Sequence, residues 1–88
     1  MKVLRNIQAL NKAINKNLNL GFVPTMGGIH KGHISLINLS KKKCEKTLVS
    51  IYINPKQFNK KTDFSKYPRN LKKDLMILKK SKIDYVFL

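Results

Sequence analysis

Three short apolar runs, at residues 20–24, 47–53 and 84–88, are each separated from the next by a stretch too long for a hairpin. Each of those stretches has its own helical pattern. Residues 32–43 hold Ile34 and Ile37 and end in Lys41, Lys42 and Lys43, which suit the negative C-terminal end of a helix dipole. Residues 69–80 put Leu71, Leu75 and Leu78 on one face. Strands joined through helices pair in parallel, by right-handed crossovers. Ahead of them, Val3, Ile7, Leu10, Ile14 and Leu18 fall at steps of four, three, four and four, so a first helix is predicted over residues 3–18. The predicted order is α-β-α-β-α-β, an α/β fold with three parallel strands and flanking helices. This is one Rossmann-like half of a doubly wound sheet, cut off before its second half. Ligands in such folds bind at the carboxyl ends of the strands, which points to residues 24–33 and 54–68. The strand at 20–24 is expected to be an open edge.

At 88 residues the chain is one small domain or a piece of a larger one, and 42% apolar content argues against disorder. The net charge of +15, from 19 basic and 4 acidic residues, makes nucleic acid the first partner to weigh. Only Arg5 and Arg69 are arginines, however, and the lysines are scattered. Lys, Asn and Ile, all abundant here, share AT-rich codons. The charge therefore reads as a solvated surface, and no specific nucleic acid is expected; a basic nucleic-acid-binding module stands as an alternative. Cys44 is the sole cysteine, so no intrachain disulfide forms. With no signal-like start and no apolar run long enough for a bilayer, the expected location is cytoplasmic, with no membrane partner.

The densest local feature is Met26, Gly27, Gly28, Ile29, His30, Lys31, Gly32 and His33, set between a strand and a helix. Backbone N–H groups and the helix dipole favour phosphate at such a junction. Gly27 and Gly28 permit a tight turn, and Gly32 leaves space beside the backbone. His30 and His33, three apart, put two imidazoles on one side, where their N–H groups suit phosphate oxygens. A structural role for either histidine is the competing reading. Zinc is not expected, because no Cys, Asp or Glu lies near the pair. The stretch matches neither the G-x-G-x-x-G fingerprint nor a G-K-[ST] loop. After the second run, Asn54 and Gln57 offer amides suited to a small polar substrate.

Taken together, Phe22-Val23-Pro24-Thr25-Met26-Gly27, the His30-Lys31-Gly32-His33 signature, the stretch from Val49 through Asn54-Pro55-Lys56-Gln57-Phe58, and Tyr67-Pro68-Arg69 resemble the pantothenate synthetase (pantoate–β-alanine ligase) family. The resemblance runs in register to Asp84-Tyr85-Val86-Phe87; the H-x-G-H element alone is shared by the wider nucleotidyltransferase superfamily. It implies ATP-dependent ligation of pantoate and β-alanine through a pantoyl adenylate. Residues Met26 to His33 would line the ATP site, with His30 and His33 catalytic on the phosphates and His33 the proton donor. Gln57, Asn54, Pro24, Thr25 and Met26 would shape the pantoate and β-alanine pocket. Mg²⁺ would enter on the ATP phosphates, with no protein metal site, and a homodimer is expected of full-length members. Residues 1–88 would be the N-terminal part of a Rossmann-like nucleotide-binding domain. The remaining cations and a C-terminal lid domain would lie in a continuation, so the 88-residue chain is expected to have little or no ligase activity alone. A stand-alone remnant nucleotide-binding domain is the other alternative.

Overall fold

Residues 1–14, 18–52 and 70–88 are described by a computed structural model. The elements are β1 (Lys2–Leu4), α1 (Ile7–Ala13), β2 (Leu20–Thr25), α2 (Lys31–Lys43), β3 (Lys46–Ile51), α3 (Leu71–Lys80) and β4 (Tyr85–Phe87). All strand pairs are parallel and the sheet order is β1-β4-β3-β2. The steps from β2 to β3 and from β3 to β4 run one way across the sheet, while that from β1 to β2 runs back over it. Right-handed crossovers then place α2 and α3 on one face and α1 on the other.

The alternation of each strand serves these two layers. Val3, Val86, Val49 and Val23 form one row across the four strands. The last three of these join Ile37 of α2, Leu78 of α3, Ile29 and Ile83 in the buried core. The next row includes Leu4, Phe87 and Ser50, and the last two line a cavity with Ile7 and Leu10 of α1. Tyr85 Oη donates to the Ala13 carbonyl at 3.1 Å, tying the end of α1 to that face.

The fourth strand corrects the three-strand expectation. Val3 fits a helical stripe by spacing, yet Lys2–Leu4 is extended and pairs with β4. Lys2 N–H donates to the Asp84 carbonyl, Leu88 N–H donates to the Leu4 carbonyl, and Leu4 is 1% exposed. A ladder to a strand more than 80 residues away leaves no trace in local periodicity. The predicted helix over 3–18 is correspondingly short. It starts at Asn6, whose Oδ1 accepts the Ala9 N–H at 2.7 Å, and ends at Ile14, which is extended. The other elements lie where the sequence puts them, within a few residues, and among the described residues β2 is an edge strand of the sheet. No helix among the described residues is long and apolar enough to cross a membrane.

Gly21 shows why α2 lies so close to β2. A side chain there would fall on Ser40 Oγ and come within 2.8 Å of Ser40 Cβ. Ser40 also shares a buried hydroxyl–hydroxyl hydrogen bond of 2.7 Å with Thr47 of β3, the residue paired with Gly21.

Candidate functional site

At the carboxyl end of β2 the chain turns through two residues at positive φ, Gly27 (87°) and Gly28 (64°), which favours glycine at both. Side chains hold the turn amide by amide. Thr25 Oγ1 donates to the Ser50 carbonyl at 2.9 Å and accepts the Gly27 N–H at 3.1 Å. Asp74, in the first turn of α3, accepts the Gly28 N–H at 3.0 Å on Oδ2 and the Ile29 N–H at 2.9 Å on Oδ1.

The two histidines continue the pattern. His30 caps α2: its Nδ1 accepts the Gly32 N–H at 3.0 Å. His33 Nδ1 accepts the His30 N–H at 3.1 Å, so the pair forms a reciprocal cap. The ring centroids are 4.1 Å apart. A neutral imidazole that accepts at Nδ1 carries its proton on Nε2. Both rings therefore face away from the helix backbone with an N–H donor. Burial pushes the His33 pKa below 6.5, nearby His30 adds to this, and the Asp74 carboxylate opposes it. His33 thus favours the neutral, Nε2–H form.

These contacts change how the junction meets an anion. The amides of Gly27, Gly28, Ile29, His30 and Gly32 all have acceptors within the protein. A phosphate brought to this junction would find the glycine-turn amides already engaged and the imidazole Nε2–H groups as donors. Gly32 has a related use, because a Cβ on it would lie 2.9 Å from His30 Cε1. The space at Gly32 is taken by the His30 ring.

Met26 and Gly27 line a cavity of about 270 Å³ with Ile51, Tyr52, Asn70, Leu71, Asp74 and Leu88, at the carboxyl ends of β2, β3 and β4. The other residues singled out in the sequence fall in several places. Pro24 lines a separate cavity between β2 and α2, the Thr25 hydroxyl is engaged within the turn, and the Ile29 side chain is in the core. Lys31 is exposed. Asn54 and Gln57 lie outside the described residues. Asp74 was missed by the sequence reading, although a signal exists. It sits with Leu71, Leu75 and Leu78 at the spacing of one helix face, an acidic residue in an otherwise apolar stripe.

The sequence profile of the Pantoate-beta-alanine ligase family matches residues 2–88. The chain belongs to the Pantoate-beta-alanine ligase family. It is 46% identical to a pantothenate synthetase of Pseudothermotoga lettingae over 91 aligned positions, covering 100% of this chain and 32% of that protein. Among solved structures, a pantothenate synthetase from Thermus thermophilus superposes with a TM-score of 0.92 at 32% identity, covering 99% of this chain and 31% of the other. A pantoate-beta-alanine ligase from Francisella tularensis, complexed with beta-gamma ATP and beta-alanine, gives 0.91 at 40% identity, with 99% and 34% covered. The chain therefore spans about a third of the length of the ligases it matches. Its parallel sheet and flanking helices have the Rossmann-like fold of these ligases.

Proposed function

We propose that residues 1–88 are the N-terminal part of a Rossmann-like nucleotide-binding domain and supply the ATP-binding wall of a pantoate–β-alanine ligase. The observation that carries this reading is the reciprocal histidine cap. Two imidazoles 4.1 Å apart each use Nδ1 on backbone, which leaves two Nε2–H donors for phosphate oxygens at a strand–turn–helix junction. Family membership and the nucleotide bound in the Francisella relative support the choice of ATP.

In the reaction so assigned, a pantoate carboxylate oxygen attacks the α-phosphorus of ATP and the bond to pyrophosphate breaks. The amine of β-alanine then attacks the acyl carbon, the bond to AMP breaks, and an amide remains. The carboxylate is already ionised, so adenylation requires no protein base. What it requires is charge stabilisation and positioning of two anions. His30 and His33 provide donors to the phosphates, and His33 Nε2–H is the group from which a proton can move to a leaving oxygen. Met26 and the cavity beside Gly27 are assigned to the substrates, together with Pro24, Thr25, Asn54 and Gln57 from the resemblance. Mg²⁺ belongs to this reading as a companion of the nucleotide phosphates. Asp74 already accepts two backbone N–H groups, and the described residues contain no group of three or more His, Cys, Asp or Glu side chains that could hold a metal ion.

Titration calorimetry with ATP tests the binding role: the chain binds, and His33→Ala weakens binding by about tenfold, the worth of one charge-assisted hydrogen bond. Equal affinities would remove His33 from the phosphates. Pantothenate formation by the 88-residue chain is expected to be very low, and robust turnover would overturn the view that further residues complete the site.

A further inference from the structure

Asp74 is 4% exposed, a buried carboxylate in a chain with 19 basic residues. Among the described residues no lysine or arginine pairs with it; the one ion pair there is Lys46 with Asp84, at 3.5 Å. Its charge is met instead by two backbone amides and by the positive end of α3. Both amides belong to the glycine turn, 45 and 46 residues earlier in the sequence.

The Gly28 and Ile29 N–H groups of the turn converge on one acceptor, as in the backbone concavity that elsewhere cradles an external anion. Here the protein's own carboxylate fills it. The position leaves little freedom, since a Cβ on Gly27 would lie 3.2 Å from Asp74 Oδ2. The carboxylate thus sets the path of the backbone entering α2. Ile29 N–H is fixed by Asp74, and the next amide, His30 N–H, is the one that holds His33 Nδ1.

We propose that Asp74 is a positioning residue. By holding Gly28 and Ile29 it keeps both imidazoles turned with Nδ1 on their own backbone and Nε2–H toward an anionic ligand. The proposal rests on the nucleotide reading for the identity of that ligand, ATP, and on geometry alone for the imidazoles.

Asp74→Asn tests it, because one carboxylate oxygen becomes an NH₂ group facing a backbone N–H. The matched control is Asp84→Asn. Asp84 also accepts a backbone amide, Thr47 N–H at 2.8 Å, but at the amino end of β3, away from the turn. Two quantities are read in each variant: the imidazole tautomers, from long-range proton–nitrogen NMR spectra at alkaline pH, and ATP affinity by calorimetry. In Asp74→Asn the two histidines are expected to lose their single Nε2–H tautomer, and ATP affinity to fall by about tenfold or more. In Asp84→Asn both readouts stay at wild type even as the melting temperature drops. Unchanged tautomers in a folded Asp74→Asn protein, or equal losses in the two variants, would overturn the proposal.

If Asp74→Asn does not fold, the wild-type protein decides. Protected Gly28 and Ile29 amides with single Nε2–H tautomers support the assignment, and freely exchanging amides or mixed tautomers refute it. Absence of ATP binding by the wild type overturns the nucleotide reading, and the tautomer measurement then judges the positioning role by itself.

Discussion

The His30 ring lies where a side chain on Gly32 would go, so these two residues are coupled. Gly32→Ala gains helix propensity of about 1 kcal/mol, but it displaces a ring whose cap contributes a similar amount. The expected result is a stability change within about 1 kcal/mol in thermal melts, together with altered His30 ring-nitrogen shifts. Unaltered shifts would show that the ring does not depend on that space. His33 makes a prediction in pH. Its folded pKa is lowered from 6.5, chiefly by burial, so the unfolded chain takes up the proton first. The stability linked to His33 is complete above about 6.5 and is lost as pH falls from there through the folded value. Protonation at Nδ1 also removes the acceptor for His30 N–H. An NMR titration of His33 should have its midpoint below 6.5, and a midpoint above it would contradict the environment described.

Among the elements, α2 is held against the sheet at two adjacent strands, through Gly21 of β2 and through the hydroxyl pair of Ser40 with Thr47 of β3. Gly21→Ala pushes α2 away from the sheet and is expected to destabilise the fold by about 1–3 kcal/mol, measured by denaturant unfolding. A neutral result would show that the helix shifts freely. The glycine turn and the cap of α2 illustrate what local sequence makes visible. Two adjacent glycines between a strand and a helix announce a turn, and three lysines mark the helix end. That the turn's amides close on Asp74 was not legible, because the acceptor arrives with α3 from 45 residues away. Strand β1 was hidden for the same reason: Val3 fitted a helical period, and only its pairing with β4 makes it a strand.

On the scale of the whole molecule, the two faces of the sheet are unequally covered. The face toward α2 and α3 holds the main core. On the other, Ile7, Leu10, Phe22, Leu48, Ser50, Tyr52 and Phe87 surround a cavity of about 430 Å³. Phe22 there is 58% exposed and Tyr52 68%. Phe22 also lies on the edge strand β2, so apolar surface and an open backbone edge coincide. The 88-residue chain is expected to self-associate, its apparent mass rising with concentration in size-exclusion chromatography, and Phe22→Ser should shift it toward monomer. A single monomeric species at all concentrations would contradict this. The +15 charge works against association through repulsion, so added salt should strengthen it.

Local spacing and residue chemistry suffice to specify the α/β class, the parallel crossovers, the glycine turn and the histidine pair. Tertiary structure decided the rest. It made Lys2–Leu4 a fourth strand, spread the two faces of the sheet unequally, and filled the glycine turn with a carboxylate from α3. Those outcomes depend on which distant backbone groups meet. A buried N–H or carboxylate must find a partner wherever the fold brings one, and no periodicity in the chain records where that is.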